Sequence, residues 1–171
     1  MEMTGLFPET CHILEIASVV TDSDLELIAE GPDLVVHQPD LILEEMNEWC
    51  KVQHADSGLI DQIKASTVSL TDAEDQTIEF LQKHVRDGAA PLCGNSIGLD
   101  WRFIKLHMPR LARFVGDDLI DVTTIKELAR RWYPEAKPPD KAESHRARDD
   151  IMESVAELKY YREHLFRQET R

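Results

Sequence analysis

At 171 residues, 42% of them apolar and with aromatics spread along the length, the chain can bury a substantial core and is too apolar for intrinsic disorder. No apolar run approaches the roughly 18–20 residues that span a bilayer, and MEMTGLFPET has neither the charged nor the apolar region of a secretory leader. The net charge of −14 argues against a long duplex as partner; with 4 basic and 19 acidic residues in 1–90 against 15 and 14 in 91–171, it suits a small anionic ligand held locally or a generally acidic surface.

The apolar, β-branched run CHILEIASVV (11–20) reads as a strand. LELIAE (25–30) and LVVH (34–37) read as two more, divided by a turn at Gly31-Pro32. From Asp40 the period changes, and Leu41, Leu43, Met46, Trp49 and Cys50 indicate a helix, followed by a shorter one over 59–63. Thr71-Asp72-Ala73-Glu74 has the capping-box pattern, opening a helix with Ile78, Leu81 and Val85 inside it and Gly88 beyond its end. PLCG (91–94) reads as a strand, 101–107 as a helix, Pro109 as the start of another, LIDV (119–122) as a strand and TTIKELARRW as a helix. A loop carrying Pro134, Pro138 and Pro139 leads to a final helix from about Ser144 to Phe166. Strands first, then strands alternating with helices, predict an α/β fold with a mixed sheet and helices on both faces, in a single domain over 1–171. Cys11, Cys50 and Cys93 are odd in number and far apart, which predicts a reducing compartment and no structural zinc.

Acidic and imidazole side chains stand beside the ends of these elements: Glu2 in EMTGL, Asp100 in GNSIGLD, and His145, Asp149 and Asp150 in SHRARDD. Carboxylates converging from separate elements suit hard divalent cations. Two such ions, about 4 Å apart, promote phosphodiester hydrolysis. A nearby His serves as general base. Taken singly, Asp100 reads equally as a helix cap and Asp149 and Asp150 as favourable first-turn charges. In the last helix Ile151, Val155, Leu158 and Leu165 define the apolar face. At about 100° per residue, Asp150 lies at its edge with Ser154 and Tyr161, while Asp149 points away. Asp150 is therefore the functional candidate.

The strings EMTGL, ILEIASVVTDSDLELIAEGP, GNSIGLD, DVTTIKELARRWYPE and SHRARDDIMESVAELKYYREHLF resemble, in order and over nearly the whole chain, the oligoribonucleases of the DEDDh 3′-to-5′ exonuclease superfamily. The resemblance implies an RNase H-like fold, a homodimer, two Mg²⁺ or Mn²⁺ ions, and degradation of single-stranded RNAs of two to five nucleotides to mononucleotides. It places Glu2, Asp100 and Asp150 as metal ligands and His145 as the catalytic base. Leu6 and Trp49 match residues that pack on the bases, although each alone reads equally as core. Thr4, His54, Ser96 and Thr123 fall on substrate-side positions, Ser96 and Thr123 near the terminal phosphate.

Two departures stand out. The family's first motif is Asp-x-Glu at the end of a central strand, and its Asp would precede Met1. The expectation is that the first central strand is missing, leaving a gap between residues 11–20 and 91–94, and that an internal Met codon has been taken as the start. The missing ligand keeps an alternative in view, a non-catalytic oligonucleotide- or protein-binding member of the fold. The second departure is Asp117-Asp118, where the family carries an aromatic and an Arg that helps hold the 5′ phosphate; Lys141, Arg146 and Arg148 are candidate replacements. The expected compartment is the cytoplasm, any mitochondrial targeting segment lying upstream of Met1.

Overall fold

The computed structural model describes residues 1–140 and 146–166. Three antiparallel strands, β1 (Glu2–Met3), β2 (Ile13–Thr21) and β3 (Leu27–Val35), form one sheet in the order β1-β2-β3. Three short helices follow, α1 (Asp40–Glu44), α2 (Glu48–Asp56) and α3 (Leu59–Ala65), then the longer α4 (Leu70–His84). The second half alternates β4 (Leu92–Gly94), α5 (Ile97–His107), α6 (Pro109–Val115), β5 (Leu119–Asp121), α7 (Val122–Trp132) and α8 (Ala147–His164). β4 and β5 pair in parallel as a separate sheet. The fold is therefore α/β with mixed sheets flanked by helices, in keeping with the expected RNase H-like architecture. Among the described residues no ladder joins β1 to β4, and none of the helices is long and apolar enough to cross a membrane.

Alternation along β2 and β3 builds the two layers. Ile13, Leu34 and Val36 point into a core with Ala73 of α4, Trp101, Phe103 and Ile104 of α5, and Leu111 of α6. Leu14 points the other way, into a cluster with Leu43, Cys50, Leu59 and Ile63 from α1–α3. Period-2 side-chain direction thus lets one strand pair serve two helical layers.

Three local expectations are corrected. Gly31-Pro32 is not a turn; it lies inside β3, where the register against β2 shifts between Ala17 and Val19 and absorbs an extra residue as a bulge. Among the described residues β3 pairs only with β2, so Pro32, which lacks an N–H, is tolerated. Gly31 is required sterically, since a Cβ there would lie 2.7 Å from both the Phe80 ring and Ser18 Oγ. The helix expected from Asp40 is two, broken at 45–47, where Asn47 Oδ1 accepts from the Cys50 N–H at 2.9 Å and starts α2.

The capping box of α4 is built by Ser69 and Asp72, not by Thr71 and Glu74. Glu74 instead points inward, 6% exposed. Its Oε1 accepts the backbone N–H groups of Arg110 (2.8 Å) and Leu111 (3.0 Å), and its Oε2 accepts Arg110 Nε (3.0 Å). α6 has no side-chain cap of its own at Met108, so a carboxylate from another helix satisfies its first N–H groups.

Candidate active site

Thr4 holds the chain after β1. Its hydroxyl accepts the His12 N–H at 2.9 Å, and its own N–H donates to His12 O, so this buried side chain is occupied in the turn. Glu2 is thereby set opposite Glu15 on β2. From α2, the buried His54 directs Nε2 at the Met3 carbonyl (3.0 Å), which requires a proton on that nitrogen. His54 Nδ1 then stands 3.8 Å from Glu2 Oε2. Asp100 lies in the first turn of α5 and Asp150 in the first turn of α8. Asp150 is half-buried and Asp149 exposed, the arrangement that the helical phase implies.

Glu2, Asp100 and Asp150 lie within electrostatic reach of one another. The Glu2 carboxyl is pushed up to about 7, chiefly by burial, with Asp150, Glu15 and Asp100 adding repulsion and the Met1 ammonium opposing it. That ammonium sits 3.2 Å from Asp100 Oδ1. Burial alone would lower its pKa, yet the net shift is upward, because Asp100, Glu2 and Asp150 surround it. Carboxylates brought together from separate elements are the oxygen donors a hard divalent ion takes, so the donor set fits such an ion in type and charge. Among the described residues no three His, Cys, Asp or Glu side chains stand close enough to coordinate one, so the fit is of chemistry and not of preformed geometry.

This raised pKa has a consequence for stability. Folding raises the Glu2 pKa above its ordinary 4.5, so the folded state holds that proton more tightly. The group imposes no penalty below about pH 4.5; the penalty grows between 4.5 and about 7, where the unfolded carboxyl is ionised and the folded one is not, and is fully present above that. Glu2→Gln should therefore melt higher than the unsubstituted chain at pH 8, with the difference vanishing at pH 4. Thermal melts of both proteins across that range test this; a gap that is the same at every pH defeats it.

Beside the carboxylates a second constellation closes the β4–α5 turn. Ser96 adopts the left-handed conformation (φ 52°) and aims its N–H at Asp121 Oδ1 (3.0 Å) and Thr123 Oγ1 (2.9 Å). The Ser96 and Thr123 hydroxyls are 3.2 Å apart. Asn95 ties this turn to α8: its amide donates to Glu157 Oε2 (3.1 Å) and its oxygen accepts from Ser154 Oγ (2.6 Å), which also contacts the Asp150 carbonyl (2.7 Å). Tyr161 OH completes the set on Glu157 Oε1 (2.9 Å), and burial with that bond holds the phenol above its usual range. Asn95 and Glu157 join this hydrogen-bonded constellation, and the motif reading passed over both. The signal was present, because 150, 154, 157 and 161 form one stripe of a helix.

Leu6 (63% exposed) and Trp49 (61% exposed) are not core residues, so that alternative falls for both. His145 and Lys141 lie outside the described residues. Arg146 donates to Glu15 and Gln62, and Arg148 pairs with Glu30 at the surface. Asp117 and Asp118 are exposed.

The comparisons with known proteins agree with this geometry. The family model described as Exonuclease matches residues 1–158. The chain is similar to the oligoribonuclease of Marinobacter nauticus, 52% identical over 168 residues, which is 98% of this chain and 93% of the relative. The oligoribonucleases of Vibrio campbellii and Bordetella pertussis are each 54% identical over the same shares. Exonucleases of this kind depend on divalent metal. With the whole fold, the converging acids and this identity in agreement, the chain belongs to the exonuclease family and, within it, to the oligoribonucleases.

Proposed function

We propose that this 3′-to-5′ exoribonuclease removes mononucleotides from RNAs of two to five nucleotides, using two Mg²⁺ or Mn²⁺ ions held by Glu2, Asp100 and Asp150. The observation that supports the reading is that the carboxylates of Glu2, Asp100 and Asp150, carried by β1, α5 and α8, lie within electrostatic reach of one another at the partly buried Glu2. Divalent ions, when bound, stabilise the charge on the attacking and leaving oxygens of the scissile phosphate. The side chains of this chain do the rest. Leu6 and Trp49 offer exposed apolar surface to the bases, a contact that for an aromatic is worth about 1–3 kcal/mol per base. The Ser96 and Thr123 hydroxyls, held together by the Asp121 cap, donate to the terminal phosphate. Thr4 and His54 support β1 beneath the substrate. His145 takes the proton of the attacking water.

Membership supports catalysis over a purely binding role, since both the family description and the relatives' names are those of nucleases. The domain spans 1–171 as one unit in this reading. A homodimer is also proposed, supported by apolar side chains left exposed together in sequence on β5 (Leu119, Ile120) and at the end of α7 (Trp132, Tyr133). The cytoplasm is the proposed compartment.

The test is a 3′-labelled diribonucleotide incubated with Mn²⁺ or Mg²⁺, beside ladders of three to ten nucleotides. Mononucleotide should appear from the 3′ end, fastest with the shortest RNAs. His145→Ala should lower kcat by about 100-fold or more with the melting temperature unchanged. Internal cleavage, or no release with either ion at any length, would overturn the reading.

A further inference from the structure

Glu15 is a carboxylate placed inside a strand at 0% exposure, a position that demands full compensation. The compensation comes from one place. Arg146 donates to Oε1 through Nε (2.9 Å) and Nη2 (2.5 Å), and the Ala147 N–H donates to Oε2 (2.7 Å). Arg146 Nη2 also reaches Gln62 Oε1 of α3 at 2.9 Å. Ala147 is the first residue of α8, and Arg146 offers that helix no side-chain cap. Glu15 therefore caps α8 from another element, and its charge also favours the positive end of that helix.

What this capping fixes is the start of α8. The Asp150 N–H bonds the Arg146 carbonyl at 3.0 Å, so the turn that carries Asp150 closes on the residue that Glu15 grips. On its other side Glu15 is the cross-strand partner of Glu2. One buried carboxylate thus joins the strand of one proposed metal ligand to the helix start of another.

We propose that Glu15 is a positioning residue of the active site, setting the separation and orientation of Glu2 and Asp150 through Arg146 and the Ala147 N–H. This rests on the assignment of Asp150 as a metal ligand. Both Glu15 oxygens are taken by Arg146 and the Ala147 N–H, so it acts through the backbone of α8.

Glu15→Gln separates this role from a merely stabilising ion pair. Its single oxygen can satisfy Arg146 or Ala147, and its amide then confronts the other donor. Amide hydrogen exchange should rise about tenfold or more at Ala147 and Asp150, while α4 and α5 stay protected. kcat should fall about 10–100-fold with KM nearly constant, and Mn²⁺ binding measured by calorimetry should weaken in parallel. Arg146→Lys, which keeps the charge but loses the two-nitrogen grip, should move each readout the same way by less. Unchanged exchange at Ala147 and Asp150 in both variants overturns the proposal. So does faster exchange there with kcat and Mn²⁺ affinity unaltered, or a uniform rise across the molecule. Asp150→Asn tells the two failures apart. If it leaves activity intact, the metal-ligand assignment falls, and the exchange data on Glu15→Gln still decide whether Glu15 sets the helix start. If it abolishes activity while Glu15→Gln does not, only the positioning role falls. In the double variant Glu15→Gln should add less than twofold to the loss from Asp150→Asn.

Discussion

Asp150→Asn should reduce kcat by about 1,000-fold while leaving the fold in place. The side chain is half-buried in the first turn of α8, and its charge is felt at Glu2, whose pKa it helps to raise. Asn preserves its size and one oxygen but removes the charge that would bind a hard cation. Losing a ligand of that kind forfeits roughly 4 kcal/mol of transition-state stabilisation, which is about three orders of magnitude in rate. Stability should hold or rise slightly at pH 8, because Asp150 is one of several mutually repelling acids. Asp149→Asn is the internal control. Asp149 is exposed, and its 3.8 Å ion pair with Arg148 is at the surface, where such pairs contribute little. Its activity should stay within about twofold of the unsubstituted chain. Steady-state kinetics on a diribonucleotide with Mn²⁺ decide the matter. If Asp149→Asn were the inactive variant and Asp150→Asn the active one, the helical-phase argument would be wrong.

Glu74→Ala should destabilise the chain by about 3 kcal/mol without touching the chemistry. Two backbone N–H groups at the start of α6 would lose their acceptor, and both are at the edge of the main core beside Leu111. The Arg110 contribution is small by comparison, because that guanidinium is half exposed and keeps its ion pair with Asp75. For a chain of this length the melting temperature should drop by about 6–12 °C. Glu74→Gln retains an oxygen for both N–H groups and should lose about a third as much. Circular dichroism melts measure both. A fall of less than about 2 °C in Glu74→Ala would mean that water replaces the carboxylate at α6. Diribonucleotide turnover at 25 °C should not change in either variant.

Local signals in the sequence carried much of the fold. The β-branched, aliphatic run over 11–20 announced β2, and the short apolar runs at 91–94 and 119–122 announced β4 and β5, though not that the two would pair in parallel. Where short-range rules misled, a longer-range contact had overridden them. Gly31-Pro32 has turn chemistry, yet it sits in an edge strand because β2 pairs across it and Phe80 closes over the glycine. Thr71 and Glu74 have capping-box spacing, but α4 begins two residues earlier at Ser69, and Glu74 is drawn away to α6. A capping rule sees four residues along the chain; it cannot see a helix terminus thirty-six positions away.

The candidate site divides in the same way. Sequence alone separated the two aspartates of α8, because a helix of period 3.6 puts Asp150 at the edge of the apolar face and Asp149 toward solvent whatever surrounds it. It also determined family membership, since ordered motifs survive as strings. Only the tertiary structure decided what those residues meet. That Leu6 and Trp49 are exposed, that His54 is buried against the Met3 carbonyl, that Arg146 belongs to Glu15 and that Asn95 links the Ser96 turn to α8 all depend on contacts between distant segments. Burial and partner choice are set by how the layers pack, and the same Arg, His or Trp reads identically in a string whether it faces phosphate, carboxylate or water.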